Sequence, residues 1–155
     1  MSKPSVISLT ADAVAAELNA APVQTFEPPF TATRLYRPRF EVEDLADLRV
    51  SIVPRGVTVQ AATRSAHAYD VQVDVAVQQK LPTPDTEGQV DAFIGSRLAL
   101  VQQIGDYLRR RPLLLSENQQ AIWTGMENRP VYAVEHLDEL RVFTSVLTLT
   151  YRIHR

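Results

Sequence analysis

Hydrophobic and polar residues alternate along the stretch from Tyr69 to Leu81. The hydrophobic positions are Tyr69, Val71, Val73, Val75 and Val77, and the intervening positions are Asp70, Gln72, Asp74 and Gln78, interrupted only by Ala76. Because successive side chains of a strand point to opposite faces, the pattern predicts a strand with one buried face and one solvated face. The row of valines then needs a hydrophobic cover.

A long helix is predicted directly after this strand, over residues 86–110. Thr86 and Gln89 have the spacing of a capping box, in which each side chain bonds to the backbone N–H of the other residue. Hydrophobic residues then recur at helical spacing at Val90, Phe93, Ile94, Leu98, Val101, Ile104 and Leu108. The residues expected to cover the valine face are Phe93, Ile94, Leu98, Val101 and Leu108.

Weaker patterns predict the other elements. Thr10 is expected to cap a short helix at 10–20, and the few hydrophobic residues of this helix place it at the edge of the domain. Residues 31–80 read as a meander of strands, in which Pro54–Gly56 forms either a tight turn or a bulge. A last strand is predicted at 141–153, and because both of its faces are partly hydrophobic, it is either central in the sheet or in contact with a partner subunit.

These elements predict an α+β fold in a single domain spanning residues 1–155, with residues 1–5 mobile. We expect an antiparallel, strongly twisted sheet of about five or six strands packed against one long helix, with a short N-terminal helix beside it. A chain of 155 residues, of which 45% are hydrophobic, is large enough for one core. The chain has no cysteine, which excludes disulfides, thiolate nucleophiles and thiolate metal sites.

Charge and hydropathy narrow the classes of partner. The formal net charge of -2 argues against a general affinity for nucleic acid or for acidic membranes, since that attraction needs a surplus of lysine and arginine. No stretch approaches the ~18 consecutive apolar residues of a membrane span, and the N-terminus lacks the hydrophobic region of a signal peptide. The sequence therefore predicts a protein made and kept in a cytoplasm, without a membrane partner.

No cluster of residues points to catalysis, a cofactor or a metal. His67, His136 and His154 are not spaced as metal ligands, and glycine-rich phosphate loops are missing. Asp70 and Asp74 share a face but are about 13 Å apart at ~3.3 Å per residue, so their expected role is to solvate that face. A small enzyme stays open only if the fold gathers Asp70, Asp74, Arg34 and His67.

Basic residues form two local groups. Arg109, Arg110 and Arg111 close the long helix, where cations are favoured, so they cap and solvate the helix end or, in the alternative, face DNA. The second group interleaves basic and aromatic residues over one strand, at Arg34, Tyr36, Arg37 and Arg39. Such a group can bind a nucleic-acid backbone, but a contact between subunits or a solvated strand is the favoured interpretation, because the chain has no wider surplus of basic residues.

The order of elements, together with two long segments, resembles the tail-terminator family of long-tailed bacteriophages and prophages, also called tail-completion or minor tail proteins. The segments are RVSIVPRGVTVQAATRSAHAYDVQVDVAVQQKL at residues 49–81 and HLDELRVFTSVLTLTYRIHR at residues 136–155. The resemblance covers nearly the whole chain. It implies a structural virion protein and no enzyme: a ring, commonly a hexamer, at the head-proximal end of the tail tube.

The same resemblance implies the partners. They are other copies of the chain, the tail tube protein and a head or neck connector protein, while DNA passes through the ring without sequence-specific binding. The location would be the tail-neck region of the virion, after assembly in the host cytoplasm. A head-closure or neck connector protein, a subunit of a phage-tail-like injection system and a small enzyme are the alternative interpretations.

We expect the subunit contacts to come from three regions with hydrophobic or aromatic groups that lack an evident internal partner. These are Thr31–Arg39, Arg111–Arg129 and the outer parity of the last strand. The candidate interface residues are Arg34, Tyr36, Arg37, Trp123, Val142 and Val146. Whether the polar face of the strand at Tyr69–Leu81 lines the lumen or faces outward stays open.

Overall fold

A computed structural model describes residues 3–37, 42–82, 86–116 and 118–155 of the chain. Two α-helices and six strands make an α+β fold, as predicted. Short turns of 3-10 helix at Val42–Ala46 and of π-helix at His136–Leu140 complete it. The elements are α1 (Val6–Asn19), β1 (Ala32–Arg34), β2 (Arg49–Ala61), β3 (His67–Lys80), α2 (Glu87–Leu108), β4 (Leu113–Ser116), β5 (Gln119–Glu127) and β6 (Val142–His154).

The six strands form one curled sheet in the order β1-β2-β3-β6-β5-β4. Four of the five pairings are antiparallel, but β1 runs parallel to β2, so the sheet is mixed and residues 31–80 are not a simple meander. A parallel pair needs a connection of about a dozen residues or more to bring the chain back. Residues 35–48 supply that length between β1 and β2.

The alternation along β3 correctly predicts its two faces. Val71, Val73, Val75 and Val77 are completely buried, and Tyr69 at the end of the row is half-buried. The neighbouring strand β2 continues through Pro54–Gly56 with a shift in register, so this interruption is a bulge and not a turn.

The last strand, β6, is central in the sheet, between β3 and β5. Its core face holds Phe143, Leu149, Tyr151 and Ile153, all fully buried. On the other face, Val142 and Thr144 are buried too, because the turn at His136–Leu140 packs against β6. Much of the second face at this end is therefore covered by the chain itself.

Helix α1 differs most from its prediction. It begins at Val6, and its N-cap is Ser5, whose hydroxyl oxygen accepts the N–H of Ser8 at 3.2 Å. Thr10 is not the cap: it is buried inside the helix, and its hydroxyl donates to the carbonyl oxygen of Val6. The predicted mobile segment 1–5 lies partly outside the described residues.

The expectation that α1 lies at the domain edge is also wrong. The helix contacts β1, β2, β3 and β4, which places it in the concave face of the curled sheet. Ala11 and Val14 are fully buried, as is Thr10. Small side chains let a helix approach a sheet closely, so α1 belongs to the core even though it carries few large hydrophobic groups.

Helix α2 has its predicted position in the chain but a shifted contact face. Thr86 and Gln89 form both bonds of the capping box. The buried residues of the helix lie in its C-terminal half: Leu100, Val101, Ile104, Gly105 and Leu108. The predicted cover residues Phe93, Ile94 and Leu98 are only half-buried, and α2 packs mainly on β6, because α1 already occupies the surface over β2 and β3.

Candidate interaction surfaces

The predicted interface residues on β1 are largely engaged with α1. The Nε of Arg34 lies 2.7 Å from Oδ1 of Asp12, and its guanidinium stacks over the ring of Tyr36, 4.3 Å from the ring centre. The Tyr36 hydroxyl is 3.2 Å from the hydroxyl of Ser8. Because the hydrogen-bonded Asp12 carboxylate stabilises the charged form, the pKa of Arg34 is raised above its ordinary value. Arg34 thus links β1 to the helix, while the outer part of the Tyr36 ring remains exposed.

Arg37 and Arg39 belong to the same predicted group of basic and aromatic residues. Arg37 is exposed at the end of this segment. Arg39 and the end of the predicted range Thr31–Arg39 lie outside the described residues.

The outer edge of β1 is closed by a side chain of α1. The amide of Asn19 accepts the backbone N–H of Ala32 at 2.8 Å and donates to the carbonyl oxygen of the same residue at 3.0 Å. These two bonds imitate a neighbouring strand, so β1 offers little of its edge to a partner at this point.

Within the described part of the chain, the edge of β2 beyond β1 has no neighbouring strand. Strand β1 pairs only with Val50–Ile52, and none of the described residues forms a ladder with the outer side of β2 at residues 56–61. Residues 57–61 are all exposed, including Val57 and Val59, which are 42% and 51% exposed on the helix-bearing face. The stretch has neither charge nor proline, which are the usual means of protecting an edge strand.

The opposite end of the sheet is strand β4, which has no further strand beside it among the described residues. Strand β4 pairs with β5 alone in the described part of the chain, and Leu114 on it is 66% exposed. Ile122 on β5 is also exposed. This edge falls inside the predicted interface range Arg111–Arg129, of which residue 117 is not described.

Trp123, in the same range, does not lie on a free surface. It is half-buried against the core and faces Tyr151 on the neighbouring strand β6. Among the described residues, neither the buried indole N–H of Trp123 nor the buried hydroxyl of Tyr151 has a hydrogen-bond partner. Burial raises the pKa of the Tyr151 hydroxyl. The pair therefore belongs to the interior and offers little to a second subunit.

Val142 and Val146, the predicted interface residues of β6, differ in their exposure. Val142 is 2% exposed and has almost no surface left for a partner. Val146 is half-buried and lines an open cleft of about 380 Å³ on the outer sheet face. Its neighbours along the cleft are Arg55, Asp74, Glu127 and Arg129.

The charges of the outer face are paired within the chain. Asp70 accepts two bonds from Arg152, at 2.8 and 3.1 Å, and this partner lowers the pKa of the Asp70 carboxyl. Asp74 accepts from the Thr148 hydroxyl at 2.7 Å and from Arg55 at 3.2 Å. Both carboxylates on the polar face of β3 are thus neutralised by arginines of neighbouring strands.

The four residues of the enzyme alternative are not brought together. Arg34 binds Asp12, whereas Asp70 and Asp74 bind different arginines. His67 lies at the start of β3 on the opposite parity to Asp70, so its side chain is on the other sheet face. The fold therefore does not gather these four side chains into a common site.

The arginines after α2 divide into two kinds. Nε of Arg111 donates to the carbonyl oxygen of Tyr107, in the last turn of the helix, at 3.0 Å. Its guanidinium also lies over the Tyr107 ring and binds Glu17 of α1 at 3.1 Å. Arg111 therefore binds the helix end, as the capping interpretation predicts. All three arginines are exposed, and a role of Arg109 and Arg110 in facing DNA stays a prediction.

The described residues contain no group of three or more histidine and acidic side chains that could hold a metal ion. None of the helices in the same residues has the length and hydropathy needed to cross a membrane. No protein-family model and no curated protein sequence matches this chain, so the resemblance to tail terminators stays a prediction.

Proposed function

We propose that this chain is a structural subunit of a long-tailed bacteriophage or prophage, which assembles into a ring, a hexamer, and terminates the tail tube. The ring sits at the head-proximal end of the tube, where it stops polymerisation and contributes to the interface with the head or neck connector. Its action is shape complementarity between surfaces, without bond-making chemistry.

The observation that carries the proposal is the pair of bare edges at opposite ends of one sheet. Natural proteins usually protect exposed edges with charge, proline or a covering element. Asn19 provides such a cover for β1, but the described residues leave β2 at 56–61 and β4 uncovered. Strand β4 is short and has a bulge between Leu114 and Ser116, but like β2 at 56–61 it has no covering strand among the described residues. Two different uncovered edges on one chain suit head-to-tail contacts, which generate a ring when the rotation between subunits closes.

The electrostatics of the outer face are compatible with DNA passing through such a ring. Asp70 and Asp74 are each neutralised by an arginine, and the formal net charge of the chain is only -2. A nearly neutral face of this kind, placed in the lumen, would neither hold nor strongly repel a phosphate backbone. This supports a passage for DNA without sequence-specific contacts.

Light scattering of the purified protein tests the ring. We expect a species of six times the subunit mass, at high protein concentration or after addition of the tail tube protein. A strict monomer under both conditions would contradict the proposal.

A further inference from the structure

We infer that the contact between neighbouring copies is a shared sheet, in which the outer edge of β2 at residues 56–61 pairs with β4 of the next copy. This inference rests on the proposed ring and names the surface that would build it.

On the β2 side of the contact, the backbone is already ordered for pairing. Over residues 56–61 the strand keeps its ladder to β3, through pairs such as Val57 with Val71 and Val59 with Tyr69. Its backbone is therefore already held in an extended conformation, with alternate N–H and C=O groups directed away from β3. A partner strand meets an ordered edge, so little conformational entropy is lost on its side.

The β4 side matches it in length and character. Strand β4 is four residues long, which fits within the six-residue edge. It carries three leucines and a serine, so neither edge brings a charge to the ladder. Uncharged edges of this kind pair readily, because cross-strand repulsion is absent.

The two sheet faces also correspond across such a contact. Val57 and Val59 share the helix-bearing face with the buried Leu113 of β4 and its half-buried neighbour Leu115. On the outer face, Thr58 lies in the row that runs through Asp70 and Arg152 to Ile122. Leu114 is on this outer face as well, because it pairs with Gln120, which has the parity of Ile122.

A second copy of this chain is the occupant that uses both edges. When β4 of one copy pairs with β2 of another, each copy keeps one edge for a further neighbour, as a ring requires. A two-fold contact of β2 with β2 would leave β4 bare in both copies. The head-to-tail arrangement leaves neither edge exposed in the closed assembly.

Disulfide trapping tests the contact in a chain that has no cysteine of its own. Thr58→Cys and Leu114→Cys are made as single variants, with Gln60→Cys as a second position on the same face to allow for register. Directly opposed residues have Cβ atoms about 4.5–5.5 Å apart, close to the spacing that a disulfide needs. Mixing the Leu114→Cys protein with either β2 variant under mild oxidation should give a cross-linked dimer.

A double variant, Thr58→Cys or Gln60→Cys combined with Leu114→Cys, should form a ladder of covalent species that ends at the number of subunits in the ring. Ser65→Cys combined with Leu114→Cys is the control, because Ser65 is exposed in the β2–β3 loop and outside the edge. This control should stay monomeric on a denaturing gel. Cross-links between two β2 cysteines alone would overturn the inference in favour of a two-fold contact.

Light scattering of the same samples separates the two proposals. If a ring forms and neither β2 cysteine joins to position 114, the shared sheet is wrong while the ring stands. If no assembly forms with the wild-type chain, both are wrong.

In addition, Thr58→Lys should shift the ring to monomers by placing a charge on the edge, whereas Ser65→Lys should leave it intact. An intact ring in Thr58→Lys would count against the shared sheet.

Discussion

Replacing Val75 with alanine removes two methyl groups from a completely enclosed part of the core. Val75 is 0% exposed and lies in the middle of β3, with Ile52 of β2 and Leu147 of β6 on either side. Strand β3 is paired on both sides at this point, with β2 and with β6, so the surroundings can relax only partly. The void left by the two methyl groups should therefore persist.

The expected loss of stability is about 2–3 kcal/mol. Each buried methyl group contributes about 0.8 kcal/mol by transfer, and the remaining void adds up to about 1 kcal/mol. For a chain of this size, such a loss lowers the melting temperature by about 4–12 °C. The matched control is Val23→Ala, because Val23 is 93% exposed and the same change there should have almost no effect.

Urea unfolding at a protein concentration low enough to keep the chain monomeric measures both variants. The urea midpoint for Val75→Ala should fall, while the dependence of the unfolding free energy on urea concentration stays the same. This combination indicates a loss of native-state stability and no change in the unfolded state. Equal midpoints for Val75→Ala and Val23→Ala would refute the placement of β3 in the core.

Three further changes test other parts of the structure. Asn19→Ala removes both bonds to Ala32 and should destabilise the monomer by about 1–2 kcal/mol in urea unfolding; an unchanged midpoint would contradict the closed edge. Thr86→Ala breaks the capping box and should cost about 1 kcal/mol, with partial rescue by Thr86→Ser; equal losses in both variants would contradict the cap. Because Arg152 lowers the pKa of Asp70, this pair stabilises the fold above the usual aspartate pKa of about 3.9 and loses that contribution as the pH falls through the folded-state pKa. The wild type should thus be more stable than Asp70→Asn near neutral pH, and their difference should shrink in acid; a difference that is constant with pH would refute the pairing.

Strong periodic signals predicted the framework of this fold. The buried face of β3 is recognisable because a strongly hydrophobic valine occupies every second position from Val71 to Val77. Thr86 and Gln89 fix the start of α2 by local bonds that need no tertiary context. The central place of β6 follows from its two partly hydrophobic faces, which was one of the two alternatives that the sequence left open.

Other features depend on tertiary context that local patterns do not carry. Alanine and threonine contribute little to hydrophobic periodicity, so the burial of Ala11 and Thr10 in α1 gave no signal. The parallel direction of β1 is a matter of its pairing with β2 and cannot be recognised from the residues within the strand. Similarly, Val142 looks available in the sequence, but it is only 2% exposed in the fold.

The candidate surface was located only in part. The range Arg111–Arg129 includes β4, whereas Trp123 from the same range is half-buried against the core, and its place in a subunit contact stays a prediction. The edge at residues 56–61 was missed, although Val57 and Val59 alternate in a stretch without charge or proline. An edge strand becomes recognisable only when the short β1 is known to stop at Arg34.

Electron microscopy of tails assembled without this chain measures its role most directly. The account predicts tail tubes that continue beyond their normal length, because nothing stops polymerisation at the head-proximal end. Restoring the wild-type chain should return the tubes to a uniform length. Tails of normal length that lack heads would contradict tube termination and indicate a connector on the head side, and normal tails joined to heads would contradict any role at this junction.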